Sequence, residues 1–307
     1  MRVAVCTITY RRPDGLRRLL DSLDALTFRD DPPELEIVVV DNDAQGSGGS
    51  VCDSFRPRSK WPVLYEIEPR RGIPFARNKA VALVVDSAEL IAFIDDDEEA
   101  EPNWLDELLR VQRETEADIV TGPVAAHFAE PVPTWIRRGR LFGSRRHTTG
   151  DRLKVAYTGN VLVASGVYRT MPMCFDEKFD MTGGSDSEFF RRAHRAGHTI
   201  VWAESASVRE WIPQSRACAS WLVRRSYRAG ITLSVIAMNQ APGWRTRLLS
   251  VAKAGVWFVI GVSVLLAGFV SGRVVMVKGL RFMAYGVGTL VSLFGTRFEE
   301  YRTVHGT

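Results

Sequence analysis

The chain has 307 residues, with 40 basic and 36 acidic side chains, a net charge of +4 and 46% hydrophobic residues. That composition excludes a disordered, collagen-like or disulfide-stapled chain and allows one large domain or two ordinary ones. A sequence pI of about 9.0 suggests nucleic acid only until the charge is divided. From Arg245 onward eight basic residues face two acids, whereas residues 1–244 hold 32 basic and 34 acidic residues. The basicity belongs to the last fifth of the chain, and nucleic acid is not an expected partner.

Arg2–Thr9 is a short β-branched run, followed by Leu16, Leu19, Leu20 and Leu23 at helical spacing. Glu34–Asp41 reads as a second, buried strand ending on a carboxylate, and Val63–Ile67 as a third. A helical stretch from about Pro74 to Val85 precedes the strand Leu90–Ile94, which runs into Asp95, Asp96 and Asp97. Alternating strands and helices predict an α/β fold with a mostly parallel, Rossmann-like sheet, whose ligands bind at the carboxyl ends of the strands. Asp41 and Asp95–Asp97 stand at such ends. Further on, Trp104–Arg113 reads as a helix, Ile119–Ala125 as a strand, Arg137–Arg152 as a basic loop and Thr158–Val163 as a strand. No G-x-G-x-x-G follows the first strand and no G-x-x-x-x-G-K-[ST] occurs, which disfavours dinucleotide redox chemistry and P-loop phosphoryl transfer.

Three adjacent aspartates are a costly cluster of like charge that a bound Mg²⁺ or Mn²⁺ can relieve, although an acidic turn before a helix gives the same letters. In Gly183–Phe190, Ser185 and Glu188 have the spacing of a capping box. Asp186 is then either a helix-dipole partner or a carboxylate fixed as a general base. Arg224 and Arg228 share a helical face that suits phosphates or plain solvent. Cys6, Cys52, Cys174 and Cys218 form no C-x-x-C pair, and His194 with His198 lacks the H-E-x-x-H signature. A reducing compartment and no zinc are expected.

The tail holds the longest apolar run, Ala254–Gly272, 19 uncharged residues between Lys253 and Arg273. As a helix it spans roughly 28 Å, near the thickness of a bilayer core. A second run, Phe282–Gly295, has 14 residues and is too short to span alone. The amino terminus leads straight into a strand without a signal peptide, so the large part of the chain is expected in the cytosol. The basic tail suits anionic membrane lipids, at about 1 kcal/mol per juxtamembrane Lys or Arg.

Five ordered segments, Val5–Arg12, Val38–Asn42, Gly72–Asn78, Phe93–Asp97 and Gly183–Phe190, resemble family 2 glycosyltransferases of the GT-A fold. The run from Phe179 to Asp186 is most similar to bacterial exopolysaccharide transferases of the succinoglycan type. The resemblance implies a GT-A domain over residues 1–244 and a membrane-associated helical tail over 245–307. It implies that Thr9, Tyr10 and Asp41 line a nucleotide pocket, with Arg71 or Arg77 near the diphosphate. Asp95 and Asp97 match the outer positions of a D-x-D motif, with Asp97 the direct ligand of Mg²⁺ or Mn²⁺, and Asp186 matches the base. Ser185 departs from the family, which often has Glu before that Asp. Gln214 and Arg216 are out of spacing for the Q-x-x-R-W signature of processive synthases, which implies addition of one sugar. The implied reaction is inverting transfer from a UDP-sugar to a polyprenyl-diphosphate-linked saccharide at the cytoplasmic face of the bacterial inner membrane. A sugar-nucleotidyltransferase and a non-catalytic sugar-nucleotide binding protein are the alternatives.

Overall fold

The computed structural model describes residues 1–128, 131–143, 147–171, 173–295 and 298. The chain opens with β1 (Arg2–Thr9), α1 (Pro13–Asp24), β2 (Glu34–Asp41), α2 (Gly49–Phe55), β3 (Val63–Ile67), α3 (Ile73–Val84) and β4 (Leu90–Phe93). There follow β5 (Glu98–Ala100), α4 (Trp104–Thr115), β6 (Ile119–Thr121), β7 (Val124–Phe128) and α5 (Thr134–Gly139). Next are β8 (Arg152–Leu153), β9 (Val161–Ala164), α6 (Ser165–Thr170), α7 (Ser185–Arg195), β10 (Ile200–Trp202) and β11 (Val208–Ile212). Three long helices close the described chain: α8 (Ala219–Gln240), α9 (Trp244–Ser271) and α10 (Arg273–Val291).

Eight strands form one sheet in the order β3-β2-β1-β4-β9-β6-β10-β8, and β5-β11-β7 form a second. The first half is parallel, as the alternation of strands and helices requires, whereas β9 runs antiparallel to both β4 and β6. The sheet is therefore mixed. Alternate β1 residues feed opposite faces: Val3 and Val5 join α1, α2 and α4, while Ala4 and Cys6 join α3, α6 and α7. Helices on both faces explain why these strands read as continuous apolar runs instead of alternating ones.

The strand expected over Ile119–Ala125 is two strands in different sheets. The break falls at Gly122 and Pro123, where a Cβ on Gly122 would lie 2.1 Å from the Ala206 carbonyl oxygen. Pro123 has no N–H for the ladder. Asn160 fixes the crossing: its Nδ2 donates to the carbonyls of Pro123 (3.0 Å) and Ala206 (2.7 Å), and its Oδ1 accepts from Trp104 Nε1 (2.8 Å). Thr158–Asn160 accordingly form the turn before β9, not the start of the strand. The expected basic loop over 137–152 contains the end of α5 and the first residue of β8; Arg145 and Arg146 lie outside the described residues.

The expected capping box is absent. Gly184, at φ +100°, is the residue before α7, and Ser185 is the helix's first residue, buried with no hydrogen-bond partner for Oγ. Glu188 pairs instead with Arg192 at 3.0 Å. Two successive positive φ values at Gly183 and Gly184 already turn the chain into the helix, so a side-chain cap has no place. All four cysteines are free.

Helices α8 and α10 run side by side in the same direction, with α9 antiparallel on the far side of α10. Leu222 packs with Val277, Ser226 bonds Arg281, Gly230 meets Tyr285 and Thr289, and Ser234 bonds Ser292. Against α9, Gly268 meets Met276, Gly261 meets Met283 and Gly286 meets Ala254. These glycines let the backbones approach closely. The α9–α10 turn rests on the α/β part, where Arg273 lies over Trp135 and Val274 packs on Gly139. Helix α10 starts at Arg273, so the 14-residue run is the end of a longer helix. Trp244–Ser271 and Arg273–Phe294 are both long and apolar enough to cross a membrane, at mean hydropathies of 2.1 and 1.4.

Replacing Asn160 by Ala leaves two buried carbonyls and the Trp104 indole unpaired, at a cost of about 1–3 kcal/mol for the worst-placed group. Thermal unfolding of Asn160→Ala is expected roughly 5 °C or more below the parent; an unchanged midpoint would show that the crossing is held by other contacts.

Candidate active site

The register of β1 against β2 and β4 fixes what meets at the sheet's carboxyl edge. Thr9 lies opposite Asp41, and Cys6 opposite Phe93, so the three aspartates that follow Ile94 emerge beside Thr9 and Tyr10. Asp96 and Asp97 lie in the turn between β4 and β5, and the three aspartates differ in burial. Asp96 turns inward: it is 5% exposed, accepts from Thr9 Oγ1 at 2.9 Å and from Arg12 Nη1 at 2.9 Å. All three aspartates line an open cavity of about 260 Å³, and Asp95 and Asp97 are the more exposed to it.

Arginines hold this cluster together. Arg77, buried on α3, reaches Asp95 at 3.4 Å. Asp97 Oδ2 accepts from both Arg12 Nη1 and Arg216 Nη1 at 3.1 Å. Arg216 also stands 3.6 Å from Glu210 of β11. Removal from solvent pushes Asp96 up to about 6, against the pull of Arg12. Burial likewise raises Asp95, opposed by Arg77 and reinforced by Asp97 and Asp186. Glu98, whose Oε2 accepts from the Asp95 N–H at 3.0 Å, is raised strongly by burial. Glu210 shifts in the same direction, again through burial first and then through Asp97.

The cavity wall carries six arginines, at 12, 71, 77, 216, 225 and 228, against four carboxylates, at 95, 96, 97 and 210. The surplus of positive charge faces a groove that also contains Thr9, Tyr10, Asn42 and Trp221. Tyr10 is held between the guanidinium of Arg71, 4.9 Å from its ring, and that of Arg11 at 5.2 Å. Arg11 adopts φ +55°, a conformation costing a non-glycine residue about 1 kcal/mol, and its backbone N–H donates to the Ser47 hydroxyl oxygen at 3.1 Å.

Most of the residues singled out in the sequence converge here: Thr9, Tyr10, Arg71, Arg77, Asp95 and Asp97 all line the cavity. Asp41 does not. It is fully buried, and its carboxylate accepts from the backbone N–H groups of Asp43 (2.9 Å) and Gly48 (2.6 Å) and from the Tyr65 hydroxyl (2.9 Å). Its neighbour Asn42 is on the cavity wall instead. Asp186 sits in the first turn of α7, outside the wall, and its charge reaches Asp95. The basic pair of α8 on the cavity wall is Arg225 and Arg228; Arg224 is exposed and is not on that wall.

Two contributors were not legible beforehand. Nothing in the letters of Val5–Arg12 gives Arg12 a role, and the spacing of Arg216 speaks only to the absence of a synthase signature. Gly15 is a third: a Cβ there would lie 2.5 Å from the Asp96 carbonyl oxygen, so α1 presses directly on the aspartate turn. Among the described residues no three His, Cys, Asp or Glu side chains converge as a cage for a metal ion. Asp95 and Asp97 nevertheless present hard oxygen donors to a groove rich in arginine. That donor set fits Mg²⁺ or Mn²⁺, which take one or two protein carboxylates and complete their shell with phosphate and water.

A family model described as "Glycosyl transferase family 2" matches residues 4–174. The succinoglycan biosynthesis protein ExoM of Rhizobium meliloti (strain 1021) is 34% identical over 253 residues, covering 82% of this chain and 80% of that protein. A glucosyl-dolichyl phosphate glucuronosyltransferase of Haloferax volcanii is 24% identical over 261 residues, covering 76% of each. Among solved structures, the mannosyltransferase PcManGT of Pyrobaculum calidifontis, in complex with GDP-Man and Mn²⁺, superposes with a TM-score of 0.63 at 15% identity, covering 96% and 88% of the two chains. TarS 1–349 of S. aureus, in complex with UDP, gives 0.56 at 14% identity, covering 96% and 92%. The order of strands, the aspartate turn at the edge of β4 and these similarities agree: the chain belongs to glycosyl transferase family 2 and is a glycosyltransferase with the GT-A fold.

Proposed function

We propose that the protein transfers one sugar, with inversion, from a UDP-sugar to a polyprenyl-diphosphate-linked saccharide during exopolysaccharide assembly. The observation that carries this reading is the cavity itself, where the outer two aspartates of D-x-D share a wall with six arginines, a charge pattern that suits a nucleotide diphosphate. Similarity to ExoM supports the exopolysaccharide setting, and the UDP and GDP-Man bound to fold neighbours support a nucleotide-sugar donor.

In this reading Tyr10 and Asn42 border the nucleotide, and Asp41 shapes that end of the pocket through the 43–48 loop it ties down. Arg71 and Arg77 lie near the diphosphate. Asp97, with Asp95 beside it, would hold Mg²⁺ or Mn²⁺, which when bound stabilises the negative charge on the departing diphosphate. The arginines add fixed positive charge aimed at the same oxygens. The acceptor hydroxyl oxygen forms its bond to the anomeric carbon as the bond to the diphosphate oxygen breaks, and UDP leaves with that electron pair. Asp186, fixed in the first turn of α7, takes the hydroxyl proton. One base suffices, because no covalent intermediate forms.

Residues 1–244 are assigned as the catalytic unit and 245–307 as the membrane tail. Helix α9 is apolar on nearly every side and buried only along Ser250, Ala254, Gly261 and Gly268, so most of its surface needs another apolar medium. A span at the cytoplasmic face of the bacterial inner membrane supplies it, with the tail's Arg and Lys residues against anionic headgroups.

Purified full-length protein with UDP-glucose and other UDP-sugars, Mn²⁺ and a lipid-linked acceptor tests the activity. Asp186→Asn is expected to lower transfer on the order of 10²–10⁴-fold while UDP still binds; unchanged turnover would remove Asp186 as the base. Asp97→Asn is expected to lower transfer by about 10²-fold or more, and EDTA should do likewise. Tight UDP binding without turnover of any donor would instead favour a non-catalytic binding protein.

A further inference from the structure

Asp97 Oδ2 carries more than one cation. It accepts from Arg12 Nη1 and from Arg216 Nη1, each at 3.1 Å, so the oxygen offered to a divalent ion already holds two guanidinium groups. Neither arginine depends on it alone. The same Nη1 of Arg12 donates to Asp96 Oδ1 at 2.9 Å, and the same Nη1 of Arg216 lies 3.6 Å from Glu210 Oε1. Each guanidinium therefore has a second carboxylate to keep it when Asp97 is taken, Asp96 for one and Glu210 for the other.

The two arginines differ in how firmly they are held. Arg12 stands just before α1 and is bonded to the most buried of the three aspartates. Arg216 stands in the turn between β11 and α8, where its backbone N–H reaches the Pro213 carbonyl at 2.9 Å. Its Nε is buried and finds no hydrogen-bond partner among the described residues. A buried donor left unmade is costly, so this arrangement uses the Arg216 guanidinium only in part. The main chain of Asp97 is fixed, because its carbonyl accepts from the Trp211 N–H at 2.8 Å. Glu210 precedes Trp211 on β11 and pairs across to Glu98, the residue after Asp97. A change of partner at Asp97 thus needs the Arg216 side chain to move, and none of the sheet.

Resting on the reading of Asp97 as the direct metal ligand, we infer that Arg216 is a stand-in cation that exchanges Asp97 for Glu210 as a divalent ion is taken up. Glu210 is then the positioning residue that receives it, and Arg12 stays with Asp96 throughout. Mn²⁺ alone has to displace a guanidinium, so its own affinity is held down. A diphosphate bound beside it gives the released guanidinium new oxygens, and arginine matches phosphate well. Nucleotide and ion therefore bind more tightly together than apart. The rival explanation is that Arg216 and Glu210 are only a fixed positive and a fixed negative charge near the ion. Fixed charges give each single variant the same direction of effect but add independently, whereas in the exchange Glu210 acts only through Arg216.

The test measures Mn²⁺ binding to the full-length protein by the electron paramagnetic resonance of free Mn²⁺, with and without UDP. Arg216→Gln is expected to tighten Mn²⁺ alone about fivefold, and Glu210→Gln to loosen it about as much, the scale of a partly exposed ion pair. In the Arg216→Gln background, Glu210→Gln should change Mn²⁺ affinity less than about twofold, and UDP should raise Mn²⁺ affinity by a smaller factor than in the parent. Arg216→Met, which keeps the side-chain stem near Trp221, takes the place of Arg216→Gln if that variant unfolds. Equal loosening by Glu210→Gln in both backgrounds, or unchanged Mn²⁺ affinity in Arg216→Gln, would overturn the exchange while leaving Asp97 as the ligand. Mn²⁺ binding at parental affinity in Asp97→Asn would instead sink the metal reading on which the exchange rests.

Discussion

Everything in the catalytic half depends on offsetting three consecutive carboxylates at the end of β4. Three carboxylates in so small a volume lose water first and repel one another second, which is why Asp95 and Asp96 are raised above ordinary carboxylates. The fold answers from three directions: Arg12 from the loop before α1, Arg77 from α3 and Arg216 from the segment after β11. Each compensating cation arrives on a different element, so the cluster also fixes how those elements sit against the sheet. Gly15 and Thr9 complete the grip, the first by letting α1 approach the Asp96 carbonyl and the second by donating to its carboxylate. The middle aspartate, held by Thr9 and Arg12, is the most buried of the three.

Much of the first hundred residues was legible because local pattern and tertiary role coincide there. A strand buried on both faces has to be apolar throughout, and Glu34–Asp41 shows it. The aspartate turn was legible for the same reason: a charge cluster at a strand's carboxyl end has few uses. What stayed hidden depends on pairing across long separations. Nothing local shows that Gly122 ends one strand and passes the chain to a second sheet, because the cause is the Ala206 carbonyl 84 residues away. Arg216 was obscured likewise, since β11 pairs with β5 and β7 before it can bring Arg216 to Asp97. Asp41 shows the opposite error. It stands at a strand end, and two backbone N–H groups and the Tyr65 hydroxyl donate to its carboxylate, off the cavity wall. At α7, two glycines in the left-handed region turn the chain where Ser185 was expected to cap it.

The tail is coupled to the catalytic part more closely than the division of charge at residue 244 suggests. Helix α10 is the middle of the helical layer, packed on α9 through glycines and on α8 through Gly230, Gly288 and two serine contacts. Helix α8 itself forms one wall of the cavity through Trp221, Arg225 and Arg228. One helix therefore touches both the active-site cavity and the apolar tail.

The central claim is that the outer aspartates and the arginine wall together hold a nucleotide diphosphate with a divalent ion. Calorimetric titration of UDP into the full-length protein, with and without Mn²⁺, tests it most directly. The account predicts at least tenfold tighter UDP binding with Mn²⁺, and loss of that gain in Asp97→Asn. Equal affinity in both conditions would contradict it.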